Sequence, residues 1–382
     1  IAITTYLALI HSKLADWNNS LTVWLSYMEK QGHTFTRPAL SFTWDYCENN
    51  PLEKTSGSWI ITTDVVMGSL KIIPKVAENV ELFNTSASSL EFSDGFFDAV
   101  ITDPPYYSNI PYSYLSDFFY VWLKRTLKGI YPELFSTLLS PKADEIVAYS
   151  AKKDGKEIGN TIFEEKLSNA LKEIYRVLKQ EGIAVIVYAH KTTEGWETLI
   201  NSLLDSGLIV TAAWPIKTEM KMRMTSHDVA ALSSSIYIVC RKLEKQPHET
   251  YGNVKKQMKE YLDEKLDFLW EQDIRGADFF IAAIGSAIEV FGKYEQITDT
   301  SDKEIKVPQL LDDVRKLVSE YAINNVLHGE IGGEISTMTR FYVLWRAAYG
   351  QAKVPYDDAR KLATSLGVNL EQEWDKGFIR KE

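Results

Sequence analysis

Asp103, Pro104, Pro105 and Tyr106 stand side by side in the chain, and those four residue types suit one chemical problem. An amino group conjugated to an aromatic ring has a delocalised lone pair and attacks poorly until that pair is localised. A carboxylate at Asp103 can accept one N–H of such an amine and the Pro104 carbonyl the other, drawing the nitrogen toward tetrahedral geometry with its lone pair aimed at a sulfonium methyl. Proline fixes the backbone direction and brings no competing donor. Tyr106 offers a flat face to an extruded base, and base–aromatic stacking is worth about 1–3 kcal/mol. What remains of catalysis is orientation of an in-line displacement, with no metal and no covalent enzyme intermediate. A strand-ending turn would account for the prolines, but it needs neither the Asp before them nor the Tyr after.

Around the tetrapeptide, Tyr107, Asn109, Tyr112 and Tyr114 carry hydroxyl and amide groups able to read a base edge as pocket walls, or else pack the turn against the next helix. Lys217, Lys221 and Arg223 would give a local phosphate contact on the same edge of the sheet, against the commoner outcome of a solvated basic loop. The aromatic connector from His33 to Pro51 contains His33, Arg37, Asp45 and Glu48, which read better as groups satisfying a buried turn than as a site. Cys47 and Cys240 are the only cysteines, far apart and without a second Cys or His at ligand spacing, so neither a disulfide framework nor a zinc ribbon can be built. A reducing cytoplasm fits that usage.

The elements that must position the tetrapeptide follow from periodicity. Residues 1–56 read as helices with the aromatic connector. From Trp59 helix and strand alternate, the mark of a parallel sheet covered on both faces. A helix over Trp59 to Ala77 precedes a short strand, Val80 to Phe83. The run FDAVIT, Phe97 to Thr102, lies between Asp94-Gly95 and Pro104-Pro105 and reads as a buried central strand. Asp103 thus falls at a strand's carboxyl end, where open α/β sheets bind ligands. The next helix carries Phe119, Trp122, Leu123 and Leu127, with Ser116 as its expected cap. Further on, the pattern predicts a helix at 163–179, a strand Ile183 to Tyr188, a helix Gly195 to Leu204, and strands Leu208 to Trp214 and Ser235 to Cys240. The last two should be antiparallel neighbours, since parallel strands need a crossover. Residues 245–382 read as helical, with loops at Asp299 to Lys306 and Gly329 to Gly333. The expected domains are therefore 1–56, 57–244 (the catalytic core) and 245–382.

The chain's 382 residues can bury two or three cores, and 45% hydrophobic with 25% charged residues describes an ordinary folded protein. The longest apolar runs have strand length, short of the roughly 20 residues of a membrane span. A net charge of −10 excludes a general nucleic-acid coat, so any contact with phosphates must be local.

With these residues in view, the chain resembles the amino-methyltransferases, and most closely the adenine-specific DNA methylase family whose longer members carry a zinc ribbon. The likeness lies in TDPPYYSNIPYSYLSDFFYVWLKRTL (Thr102 to Leu127), HTFTRPALSFTWDYCENNP (His33 to Pro51) and RGADFFIAAIGSAIEVF (Arg275 to Phe291). ALKEIYRVLKQEG, Ala170 to Gly182, is like the helix-turn before the fifth strand of many class I methyltransferases. The resemblance implies an α/β fold with a class I, Rossmann-like, S-adenosyl-L-methionine-dependent sheet, seven-stranded with a reversed last strand and incomplete in this chain, between helical N-terminal and C-terminal regions. It implies methyl transfer to adenine flipped out of duplex DNA, with Asp103, Pro104, Pro105 and Tyr106 as catalytic residues and Asp103 also touching the cofactor. Ser86-Ala87 occupies the place where the family often has an acidic residue and alanine near the cofactor's adenine. Two segments are missing from the pattern. No zinc-ribbon cysteines occur, and the glycine-rich cofactor loop is not found before Trp59. DFFIAAIG, Asp278 to Gly285, mimics that loop but is continuous apolar helix core. The first two strands are expected upstream of Ile1 or on a partner chain. Cytosine or an RNA guanine as the methylated base, and a non-catalytic nucleic-acid-binding or scaffold subunit, are the alternative readings. Protein glutamine methylation is disfavoured, because that chemistry usually has Asn in place of Asp103.

Overall fold

The computed structural model describes all residues except 27, 37–38, 72–79, 107–109, 148–151, 154–155, 158, 189–192, 218–233, 243–245, 273, 275, 328–334, 350–355 and 374–382. The chain packs as two units, one of residues 1–84 and 110–145, the other of residues 85–109 and 146–382. Among the described residues no helix is long and apolar enough to cross a membrane.

The first unit contains α1 (Ala2–Trp17), the two-residue strands β1 (Trp24–Leu25) and β2 (Lys30–Gln31), paired antiparallel, then α2 (Trp59–Leu70) and α3 (Tyr112–Leu127). Ala8 of α1, Leu127 of α3 and Phe135 form its buried centre. The connector after β2 is tied down by local bonds: His33 Nδ1 lies 2.8 Å from Asp16 Oδ2, and the Thr34 hydroxyl donates to the Asp16 carbonyl. That agrees with the turn-satisfying role read from the sequence for His33; Arg37 lies outside the described residues. Two expectations fail here. Ser116 is inside α3, its hydroxyl donating to the Ser113 carbonyl, so it caps nothing. The cap comes from a distance, Glu145 accepting from the Ser113 backbone N–H at 2.9 Å, and the helix starts five residues earlier, at Tyr112. Val80 to Phe83 forms no strand, and Val80, Leu82 and Phe83 are exposed.

The second unit contains β3 (Phe97–Thr102), β4 (Lys152–Lys153), β5 (Lys156–Glu157), α4 (Gly159–Val177), β6 (Leu178–Tyr188), α5 (Thr193–Ser206), β7 (Ile209–Lys217), β8 (Ser234–Arg241) and β9 (Gln246–Thr250). After these come α6 (Tyr251–Glu271), α7 (Gly276–Phe291), β10 (Tyr294–Thr298), α8 (Val307–Leu327), α9 (Thr337–Tyr349), α10 (Tyr356–Ser365) and the short α11 (Leu370–Glu373). Its main sheet runs β3-β6-β8-β7. β3 is parallel to β6, and β8 is antiparallel to both β6 and β7, so β3, β6 and β7 point the same way. The antiparallel pairing of β7 with β8 is the one expected from the sequence.

Alternation along each strand sorts the two faces of the sheet. Ala184, Ile186 and Tyr188 of β6, with Ile236, Ile238 and Cys240 of β8, are fully or almost fully buried in the main core. α4 reaches that core through Phe163, Leu167, Leu171 and Ile174, which recur on one helical face. α7 lies against β7 so closely that a Cβ on Gly285 would sit 2.5 Å from the Ala213 Cβ. That contact, with Phe279, Phe280, Ala282, Ala283 and Ile284 buried, makes DFFIAAIG helix core as its spacing indicated. The opposite face is more open: Ile183, Val185 and Val187 are half-buried, and Trp214 and Ile216 are exposed.

β3 differs most from its sequence pattern. It is the edge strand, not a buried central one, and Ile101 is 75% exposed. An apolar, β-branched run reports what a strand is fit to be buried against, and among the described residues no strand pairs with β3 on its far side. The other boundary shifts are small, such as Leu178 opening β6 instead of closing the preceding helix. The helical region also holds one feature its pattern concealed, the parallel pair β9 and β10.

Candidate functional site

The turn Asp94-Gly95 delivers the chain into β3. Gly95 has φ +64°, a backbone conformation that favours glycine, and its N–H donates to the Arg176 carbonyl at 3.0 Å. Arg176 of α4 grips the same approach with its guanidinium, donating to the carbonyls of Leu90 and Phe92 and to the carboxylates of Asp94 and Glu173. Glu173 in turn accepts from the Leu90 N–H at 2.8 Å. The Arg176 bonds first, and the Leu90 N–H with them, hold the Glu173 carboxyl down at about 2. The segment entering β3 is thereby fixed to the crossover helix.

Asp103, Pro104, Pro105 and Tyr106 leave β3 at its carboxyl end without an intervening residue. Asp103 is exposed, and the prolines and Tyr106 are half-buried. The Tyr106 ring meets Tyr188 edge to face at 5.3 Å between centroids, and Tyr188 meets Trp196 the same way at 5.3 Å. Tyr188, the last residue of β6, is fully buried and donates its hydroxyl to the Gly195 carbonyl at 3.0 Å. Such aromatic pairs add about 0.5–1.5 kcal/mol each beyond the area they bury. Tyr106 is therefore held by the core while Asp103, three residues earlier, faces water. The sequence reading missed Tyr188 and Trp196. Their signal was the placement of an aromatic residue at the carboxyl end of the strand parallel to β3.

Lys217 ends β7, and because β3, β6 and β7 run the same way it lies on the same sheet edge as Asp103. Their strands are three strand spacings apart in the sheet, roughly 14 Å at about 4.8 Å each. Ser86 pairs with Ser89 in a β-bridge, and its hydroxyl accepts from the Ser88 N–H at 3.3 Å. It is exposed and belongs to a local turn. Tyr112 and Tyr114 belong to the other unit, within the first turn of α3 rather than ahead of the helix, and both rings are exposed. The Lys142 ammonium lies 5.2 Å from the centre of the Tyr114 ring. Tyr107, Asn109, Lys221 and Arg223 lie outside the described residues.

Chemically, the segment places an exposed carboxylate and the adjoining proline carbonyl two to three residues before an anchored aromatic ring, directly after a strand that pairs, among the described residues, with β6 alone. That is an acceptor pair suited to an N–H-bearing planar group. No family model matches the chain, and no curated protein matches it.

Proposed function

We propose that this chain carries the amine-binding half of a class I, S-adenosylmethionine-dependent methyltransferase acting on an exocyclic amino group, that of adenine in DNA. The observation that carries the reading is Asp103-Pro104-Pro105-Tyr106 at the carboxyl end of a parallel strand, with Tyr106 fixed by Tyr188. The sheet order adds support: parallel β3 and β6, then reversed β8 between β6 and β7, is compatible with the later part of a seven-stranded sheet whose last strand is reversed. The two unpaired cysteines are compatible with a cytoplasmic protein.

In this reading Asp103 accepts one N–H of the flipped base's amino group and the Pro104 carbonyl the other, and Tyr106 bounds the ring. S-adenosylmethionine would supply an electrophilic methyl group. The described residues of this chain do not by themselves fit that cofactor, because the sequence has no glycine-rich loop after a strand and, among the described residues, no strand pairs with the outer side of β3. We therefore assign the loop to a further polypeptide segment, in the same product or a partner chain, that adds a strand to the open edge of β3.

The test is transfer of a labelled methyl group from S-adenosylmethionine to unmethylated duplex DNA by the full gene product. Label should appear on the adenine amino group and fall by about 10²-fold or more in Asp103→Ala, the scale of losing a preorganised polar contact at the reacting centre. Label on cytosine, or on guanine when RNA is the substrate, would reassign the base. A second reading, a non-catalytic nucleic-acid-binding subunit, is favoured by the same missing loop. It predicts no cofactor binding and no label in any of these assays.

A further inference from the structure

We propose that the C-terminal helical region holds a phosphate-binding cleft between α8, α9 and α10, formed by Arg315, Lys316, Arg340 and Arg360. The inference stands independently of the methyl-transfer reading. A cleft of about 680 Å³ is lined by Arg315, Lys316 and Ser319 of α8 together with Ser336, Thr337 and Arg340 at the start of α9. A smaller recess of about 310 Å³ shares Arg315 and adds Arg360 and Thr364 of α10. These volumes fall in the range of small-ligand pockets.

Three carboxylates also line the two spaces, Asp312, Glu320 and Glu371, and their placement decides the sign of the interior. Arg315 pairs with Asp312 at 2.8 Å, but the arginine side chain is 12% exposed and the aspartate 67%. Arg340 lies 3.7 Å from Glu320, with exposures of 17% and 57%. The guanidinium groups sit inside and the carboxylates stand at the rim, where water weakens their hold. Arg340 is further fixed by donating to the Ile335 carbonyl and the Ser319 hydroxyl, so its charge is already oriented. Lys316 and Arg360 are exposed cations at the openings. Asp313, the other carboxylate of that turn, pairs with Lys255 instead.

The start of α9 faces the same space. Ser336 caps the helix by accepting from the Thr339 N–H at 3.2 Å, and a helix N-terminus favours negative charge. Guanidinium forks, hydroxyl donors and a positive interior together match the geometry of a phosphate group, which accepts several charge-assisted bonds at once. The phosphate could belong to a free nucleotide or to a nucleic-acid backbone, and the experiment separates these sources.

Inorganic phosphate, adenosine monophosphate and a 20-base-pair duplex would each be titrated into the full protein, reading heat of binding and melting temperature. Lys316→Ala/Arg360→Ala changes only exposed side chains and should leave the unliganded melting temperature unchanged while weakening binding about tenfold or more. Arg340→Ala should weaken it further; if that variant does not fold, the double variant decides alone. Tight mononucleotide binding without a gain from duplex assigns a small-molecule site, and the reverse assigns backbone contact. Absence of binding by all three probes, or binding unaltered in the double variant, overturns the proposal. Neither result depends on whether a methyl group is transferred.

Discussion

Two carboxylates, Asp103 after β3 and Glu173 in α4, show how much a side chain's partners decide. Asp103 is exposed to water, whereas Glu173 is committed to Arg176 and the Leu90 N–H. That commitment has a pH signature. Glu173 titrates near 2 in the fold against an ordinary 4.5, so its stabilising contribution is complete above about 4.5 and is lost as pH falls through that interval toward 2. Glu173→Gln should cost about 1–2 kcal/mol at neutral pH and flatten the acid limb of stability between those values, measured by urea unfolding at a series of pH. An unchanged acid limb would mean that Arg176, through its carbonyl contacts alone, holds the entry to β3. The tetrapeptide was legible in the sequence because its chemistry is contiguous. The Arg176 network was not, since Leu90, Phe92 and Asp94 lie more than 80 positions from Arg176, and the same distance problem hid Glu145 as the cap of α3.

Among the elements, β3 carries the most consequence. Its residues suit a strand covered on both sides, yet among the described residues it pairs only with β6 and leaves Ile101 exposed. Its one charge, Asp98, is occupied by Lys179 at 2.6 Å, and Ala99 to Thr102 show none of the lysines or prolines with which edge strands are usually protected. A strand so unguarded is expected to be paired in the working protein. Ile101→Lys should therefore leave the stability of this chain within about 0.5 kcal/mol while sharply lowering methyl transfer by the full product, because the charge would face the added strand's neighbourhood. If activity survives that change, the outer side of β3 is not used. Helix and strand identities were readable from periods of 3.6 and 2, but edge or centre was not. Periodicity encodes which side chains seek burial and is silent on which neighbour provides it.

At the scale of the molecule, the sheet and the helices after residue 245 share one core. Ile236, Ile238 and Cys240 of β8 are buried in the same cluster as Phe279, Ala283 and Ile288 of α7 and Leu311 and Val314 of α8, and the burial of Cys240 pushes its thiol up to about 12. α7 is seated by Gly285 against Ala213, a contact too close for any larger residue without displacement of the helix. The helices after residue 245 thus contribute to the cover of one sheet face. A chain ending at residue 244 would expose several side chains that each contribute about 1.5–3 kcal/mol by burial, more in sum than the 5–15 kcal/mol that ordinarily holds a domain together. Such a truncation should lose its cooperative unfolding transition and bind a hydrophobic dye, as seen by circular dichroism and fluorescence during thermal melting. A sharp transition in the truncated chain would show instead that α4 and α5 suffice to cover the sheet without the helices after residue 245.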